Sequence, residues 1–153
     1  MLQLMPDIRL VEPEDAERIA LLCEQLGYSV QAEPIYDRIK LRETDSNYMI
    51  YVADLPDRPV VGWIQVGIIA TLIAGRQAMI QGLVVDENYR DQGIGYLLTR
   101  RAEYWAQLKG CNSTLVCSNT LREKAHYFYR KLGYAPVKTQ AVFRKLLSDF
   151  DCR

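Results

Sequence analysis

The run Val84-Val85-Asp86-Glu87-Asn88-Tyr89-Arg90-Asp91-Gln92-Gly93-Ile94-Gly95-Tyr96-Leu97-Leu98 has residue types and spacing from which chemistry can be read. Gly93 and Gly95 fall where a hydrophobic strand gives way to a helix, and glycine lets backbone N–H groups converge with no Cβ blocking an incoming group. A helix N-terminus adds unpaired N–H donors and a partial positive charge. Together these suit an anion such as phosphate, and Arg90 adds a formal charge. Two glycines alone are better explained as a tight strand-to-helix turn, so spacing decides between ligands. A dinucleotide fingerprint needs a third small residue three places after Gly95, where Leu98 stands. A nucleoside-triphosphate loop needs Gly-Lys-Ser or Gly-Lys-Thr, and the chain has neither.

Other chemistries have less support. Cys23, Cys111, Cys117 and Cys152 show no Cys-x-x-Cys spacing, and His126 is the one histidine, so mixed Cys/His zinc frameworks cannot be assembled and no metal is expected. The thiols read as idle. No Gly-x-Ser-x-Gly elbow accompanies His126, which excludes hydrolysis by that kind of triad. Nineteen Lys plus Arg balance nineteen Asp plus Glu, so no bulk field draws in nucleic acid. The longest apolar stretch, Val60 to Ala74, is broken by Gly62, Gln65 and Gly67 and is shorter than the ~20 residues a bilayer span needs. The N-terminus has no basic region before Pro6 and Asp7, so the expectation is a cytoplasmic protein that neither enters nor spans a membrane.

The phosphate-type turn needs a strand that ends and a helix that begins at one place. The 153 residues, 49% hydrophobic and 25% charged, suit one domain with an ordinary core, expected over residues 6–148. Ile8 and Leu10 alternate as a first strand, and Pro13 opens a helix with Ala16, Ile19, Cys23 and Leu26 on one face and Gly27 as its stop. Pro34 opens a second helix to about Arg42. Tyr48–Asp54 and Val60–Ala70 form an antiparallel hairpin across Leu55-Pro56-Asp57-Arg58-Pro59, and Gly75-Arg76 marks the next reversal. Gln77–Asp86 is then a central strand, ending in the run Leu83-Val84-Val85 typical of coverage on both faces. Ile94, Leu97, Leu98, Ala102, Trp105 and Leu108 recur at helical spacing up to Gly110, and Thr114–Cys117 is a fifth strand. Thr120-Leu121-Arg122-Glu123 has capping-box spacing and launches a helix with Leu121, Ala125, Phe128 and Leu132 inward, closed by Gly133. Tyr134–Val137 and Gln140–Leu147 are expected as final strands. The fold class is α/β: a mixed, mostly antiparallel sheet with a central parallel strand–helix–strand unit, flanked by helices.

Arg90-x-x-Gly93-x-Gly95, preceded by Tyr89 and a hydrophobic strand, resembles the Gln/Arg-x-x-Gly-x-Gly/Ala motif of the GNAT superfamily of acyl-CoA-dependent N-acetyltransferases. Downstream, Ser118-Asn119 follows a strand, and Ala125-His126-Tyr127-Phe128-Tyr129-Arg130-Lys131-Leu132-Gly133-Tyr134 is similar to the superfamily's Ala-x-x-Phe-Tyr-x-x-x-Gly-Phe/Tyr signature. The likeness covers nearly the whole chain. It implies a GNAT-like domain with acetyl-CoA as cosubstrate, lying where the fourth and fifth strands splay apart. By the same resemblance pantetheine pairs with backbone at Leu83, Val84 and Val85, and the pyrophosphate meets N–H groups of Arg90, Asp91, Gln92, Gly93, Ile94, Gly95 and Tyr96. Asn119 then hydrogen-bonds the pantetheine arm, and Tyr129 sits near the thioester sulfur.

Such a reaction requires a neutral amine to attack the thioester, an oxyanion to form and a thiolate to leave. A strand N–H at the oxyanion contributes about 3 kcal/mol when well placed. A tyrosine of pKa about 10 stays protonated at neutral pH and can donate to a thiolate whose conjugate acid is near 8.5, which makes Tyr129 the expected general acid. Outside the signature, packing explains the aromatic cluster as well. The base is harder to find, because relatives carry a carboxylate on the fourth strand and here Met79, Ile80, Gln81 and Gly82 precede Leu83. Water relayed by Gln81 is one route. Glu24, Glu33 and His126 read as solvated or groove residues.

The function expected is acetyl transfer from acetyl-CoA to a primary amine by direct attack on the thioester, with a small-molecule acceptor. Two alternatives stay open: a non-catalytic acyl-CoA binding or sensing module, and an acetyltransferase acting on a protein amine. A homodimer through Ala141-Val142-Phe143 competes with those residues forming an internal sheet face.

Overall fold

The computed structural model describes residues 5–148, which fall into two compact units, one ending at Cys117 and one beginning at Ser118. Met1–Leu4 and Cys152 lie outside the described residues.

In the first unit the alternating β-branched and aromatic segments become β1 (Asp7–Leu10), β2 (Tyr48–Asp54), β3 (Gly62–Thr71), β4 (Gly75–Val85) and β5 (Thr114–Val116). They form one sheet in the order β1-β2-β3-β4-β5. The first four strands pair antiparallel, and β5 joins β4 in parallel. A parallel neighbour demands a crossover, supplied by α3 (Ile94–Leu108). The expected α/β class with its strand–helix–strand unit is therefore present.

Gly62 and Trp63 show how the sheet is covered on both sides, because successive residues of a strand point to opposite faces. A Cβ on Gly62 would meet Leu98 and Ile94 of α3, whereas Trp63 packs on the cluster containing α1 (Ala16–Gln25) and α2 (Ala32–Arg42). That cluster joins Ala16, Ile19, Leu22 and Cys23 to Ile35, Ile39, Val52 and Val84. On the α3 side Ile94, Leu98, Ala102 and Trp105 are buried, as Ile64 and Val66 are on the sheet. Fully burying one such side chain contributes about 1.5–3 kcal/mol, so β3 and β4 are held from both faces. Leu108, expected inward, is exposed at the last turn of α3.

Sequence boundaries shift for local reasons. Pro13–Asp15 forms a 3-10 turn ahead of α1, held by Arg9, whose two terminal nitrogens each donate to Asp15 at 2.9 Å while its Nε donates to Asp54 at 2.9 Å. α2 starts at Ala32, two residues before Pro34, because a missing N–H is harmless throughout a first helical turn.

In the second unit α4 spans Glu123–Lys131, with Ala125, Phe128 and Leu132 half-buried. Two expectations fail here. The Thr120–Glu123 capping box does not form, since α4 begins at Glu123 with no side-chain cap, and Leu121 is exposed. Asn119 takes over the turn: its Oδ1 accepts the Leu121 N–H at 2.9 Å and its carbonyl accepts the Arg122 N–H at 3.0 Å. The second correction is that Tyr134–Val137 and Gln140–Leu147 form no strands. Residue type reports β propensity, but a strand also needs a neighbour to take its N–H and C=O groups, and the described residues of this unit contain no other strand. Val142 and Phe143 accordingly lie exposed. Among the described residues, no helix is long and apolar enough to cross a membrane.

Gly62 fixes how closely the head of α3 approaches the sheet. An added Cβ would lie 2.9 Å from the Val84 carbonyl oxygen and 3.2 Å from Leu98 Cδ1. We expect Gly62→Ala to lower unfolding stability by about 1–3 kcal/mol through overpacking, measured by urea denaturation; an unchanged midpoint would show that α3 yields freely.

Candidate functional site

The centre of the candidate site is the connection from β4 to α3. β4 ends at Val85, and Glu87–Tyr89 forms a short 3-10 turn whose three N–H groups all have acceptors. The Glu87 N–H donates to Gln25 Oε1 at 2.9 Å, that of Asn88 to Asp86 Oδ1 at 3.0 Å, and that of Tyr89 to the Asp86 carbonyl at 2.8 Å. Past this turn the pattern changes. The first bond of α3 runs from the Leu97 N–H to the Gly93 carbonyl at 3.1 Å, so the N–H groups of Ile94, Gly95 and Tyr96 precede it and have no acceptor within the helix.

Gly93 caps the helix with φ +84°, the left-handed region that a side chain strains, and nothing lies within 4 Å of where its Cβ would be. Open space in front of unpaired N–H groups at a helix head is an arrangement that accepts an anion. Asp91, also left-handed at φ +61°, makes the turn in company with Gly93. Thr99, fully buried, secures the first turn of α3 through its hydroxyl, which donates to the Gly95 carbonyl at 2.8 Å. Arg90 is exposed; its Nε donates to the Val85 carbonyl at 3.0 Å, and its terminal nitrogens have no partner among the described residues. Arg58 braces the turn from the β2–β3 connection, donating to the Tyr89 hydroxyl at 2.8 Å with its guanidinium 5.8 Å from that ring's centre.

The second component is the free side of β4. β5 pairs with β4 only at Ala78↔Thr114, Met79↔Leu115 and Ile80↔Val116. Beyond Ile80 the length that includes Leu83, Val84 and Val85 keeps its β3 partners but has no strand on its other side among the described residues. A bulge falls at this boundary: Gln65 pairs with Gly82 and Val66 with Ile80, leaving Gln81 as the extra residue. Gln81 is exposed and its Oε1 accepts from Gln65 Nε2 at 3.1 Å. Trp63 lies over Gly82 so closely that a Cβ there would be 2.5 Å from the indole. No carboxylate stands at Met79, Ile80, Gln81 or Gly82.

Asn119 and Tyr129 belong to the second unit. Asn119 Oδ1 is committed to the Leu121 N–H, and His126 Nε2–H donates to the Asn119 carbonyl at 2.9 Å, which fixes that histidine's tautomer. The Tyr129 ring meets Phe128 edge-on at 5.1 Å and Tyr134 at 5.7 Å. Burial pushes its phenol above the ordinary value of 10.0, against the opposing pull of Arg122, so it carries its proton at neutral pH. Glu24 and Glu33 are exposed. Burial raises the Cys23 thiol, as suits an inert core residue. Among the described residues, no group of three or more His, Cys, Asp or Glu is placed to hold a metal ion.

The structure thus brings Leu83–Val85 and Arg90–Tyr96 together at one end of the first unit. It also reveals supports that sequence reading overlooked: Arg18 and Gln25 from α1, and Arg58. Arg18 donates through Nε to the Val60 carbonyl at 2.7 Å and pairs with the buried Asp86. The Asp-x-Asn at 86–88, an Asx turn, was the one local signal available; Arg18 lies too far along the chain for spacing to reveal it.

Residues 15–134 match the acetyltransferase (GNAT) family model. Over 104 residues the chain is 29% identical to aminoglycoside N(6')-acetyltransferase type 1 of Klebsiella aerogenes, a stretch covering 64% of this chain and 66% of that relative, just under two thirds of its length. Among solved structures, aminoglycoside N-acetyltransferase AAC(6')-Iy in complex with CoA superposes with a TM-score of 0.83 at 17% identity, covering 94% of this chain and 97% of the other, a likeness of fold. A transcriptional regulator from Bacillus halodurans C-125 superposes with a TM-score of 0.77 at 25% identity, covering 92% and 99%.

The strain at Gly93 has a measurable size. Because a left-handed L-residue costs about 1–2 kcal/mol, Gly93→Ala should lower unfolding stability by about that amount in urea denaturation; no loss would mean that the turn can leave this conformation without cost.

Proposed function

The chain belongs to the acetyltransferase (GNAT) family, and from that membership we propose that it transfers an acetyl group from acetyl-CoA to the primary amine of a small molecule. The observation that carries the reading is the set of N–H groups at Ile94, Gly95 and Tyr96, which have no acceptor within the helix, next to the length of β4 whose second side has no strand among the described residues. These features fit the donor. A pyrophosphate takes hydrogen bonds from the turn Arg90-Asp91-Gln92-Gly93-Ile94-Gly95-Tyr96, with Arg90 adding charge, and an extended amide-bearing arm takes main-chain bonds from Leu83, Val84 and Val85.

When bound, acetyl-CoA supplies an activated thioester. The chain's own contributions are positional and electrostatic. An N–H of β4 donates to the acetyl carbonyl oxygen as negative charge develops there. Tyr129, protonated at neutral pH, gives its hydroxyl proton to the sulfur as the carbon–sulfur bond breaks and the new amide bond forms. Asn119 keeps its amide N–H groups for the pantetheine arm, since only its Oδ1 is engaged. The amine's proton leaves through water held near Gln81, which has neither charge nor basicity of its own.

Aminoglycosides are the acceptor class to try first, because relatives in sequence and in fold carry that name. A cytoplasmic place of action accompanies this reading. The missing β4 carboxylate favours one other reading, a module that binds acyl-CoA without turnover.

Calorimetric titration of acetyl-CoA into the wild type and a folded Gly93→Trp variant tests the donor site: binding by the wild type, lost in the variant, is expected, and no wild-type binding overturns the reading. CoA release with an aminoglycoside panel then separates enzyme from sensor. In the active enzyme, Tyr129→Phe should lower kcat at saturating amine by about 10²-fold or more with the KM for acetyl-CoA little changed, and an unaltered kcat would remove Tyr129 from the acid role.

A further inference from the structure

Asp86 caps the Glu87–Tyr89 turn that leads into the proposed donor turn and is 4% exposed. Each of its polar groups is engaged. Its N–H donates to the Val61 carbonyl at 2.8 Å, its Oδ1 accepts from the Asn88 N–H at 3.0 Å, its carbonyl accepts from Tyr89, and its Oδ2 pairs with Arg18. Arg18 comes from the first turn of α1 and also holds the Val60 carbonyl at 2.7 Å, so one guanidinium ties the entry of β3 to the exit of β4. Two turns further along the same face of α1, Gln25 holds the Glu87 N–H. Although burial opposes its charge, the Asn88 N–H and Arg18 hold the Asp86 carboxyl below its ordinary value, so that carboxyl is ionised at neutral pH.

These contacts leave the root of the donor turn little freedom. Fixing the Glu87–Tyr89 turn fixes where the chain enters Arg90–Gly93, and so where the free N–H groups of α3 face a ligand. Preorganised donors bind an anion without a reorganisation cost at the moment of binding.

We propose that Arg18, acting through Asp86, is a positioning residue for the acetyl-CoA pyrophosphate: it touches neither substrate but holds the turn in its binding conformation. The inference rests on the donor site proposed above and adds to it a role for α1. Arg18 and Asp86 remove nothing from the reacting groups, so their loss should weaken donor binding and leave the chemical step intact.

The test uses Arg18→Gln, Asp86→Asn and the double variant, with Arg18→Lys as the conservative replacement should Arg18→Gln fail to fold. Calorimetry with acetyl-CoA should show at least about a tenfold rise in Kd for each single variant, with the double variant no worse than the weaker single one, since both remove the same coupling. The KM for acetyl-CoA should rise in parallel while kcat at saturating donor stays near wild type, and Arg18→Lys should fall between wild type and Arg18→Gln. Folded single variants that bind acetyl-CoA like the wild type overturn the proposal, as does a loss confined to kcat or to thermal stability. A wild type that does not bind acetyl-CoA overturns the donor site itself, a result distinguishable from these.

Discussion

The head of α3 has to satisfy two opposed demands: its N–H groups must stay free of protein acceptors, and they must also be held still. Free donors on a loose loop would collapse onto the nearest carbonyl or spread into solvent, and a helix start held by its own side-chain cap would already have used them. Here the demands fall to different residues. Gly93, in the left-handed region and with no side-chain cap, leaves the first turn of α3 open, while the neighbouring turn at Glu87–Tyr89 has every N–H paired to Gln25 or Asp86. Oriented dipoles gathered in one place favour an anion there even though the chain's net charge is zero.

β4 divides its work along its length in a similar way. Its first half is bonded on both sides, to β3 and β5, and its second half, among the described residues, to β3 alone. The bulge at Gln81 stands near that change, where an unpaired residue can re-aim the strand. Holding such a strand in place without a second neighbour requires packing from above and below, which α3 and the α1–α2 cluster supply through Leu98 and Val84. The site is therefore an interruption in a ladder that is otherwise complete across β1 to β4.

Much of this could be read in the sequence because it is written in local spacing. Leu83-Val84-Val85, the paired glycines and the helical recurrence from Ile94 to Trp105 together located the strand end, the turn and the helix start, and α3 does begin at Ile94. The reading of Tyr129 rests on a motif, and the phenol's burial and its edge-on contacts with Phe128 and Tyr134 depend on packing that residue types alone do not reveal. Spacing failed where the deciding partner was remote. Arg18 and Asp86 are 68 positions apart, and no periodicity links them. Thr120 and Glu123 had the right interval for a capping box, but Asn119, one residue earlier, captured the turn first. Strands were expected over Tyr134–Val137 and Gln140–Leu147, yet a strand is a property of a pair, and composition along one segment does not supply its partner.

The parallel ladder between β4 and β5 is only three residue pairs long, whereas β3 and β4 pair along nearly their whole length. Local opening has a free energy set by what it breaks, so this seam is the part of the sheet that separates at least cost. Amide hydrogens along β5 would accordingly exchange with solvent sooner than those shared by β2, β3 and β4. Breaking that short seam leaves the longer ladders that join β1 to β4 intact.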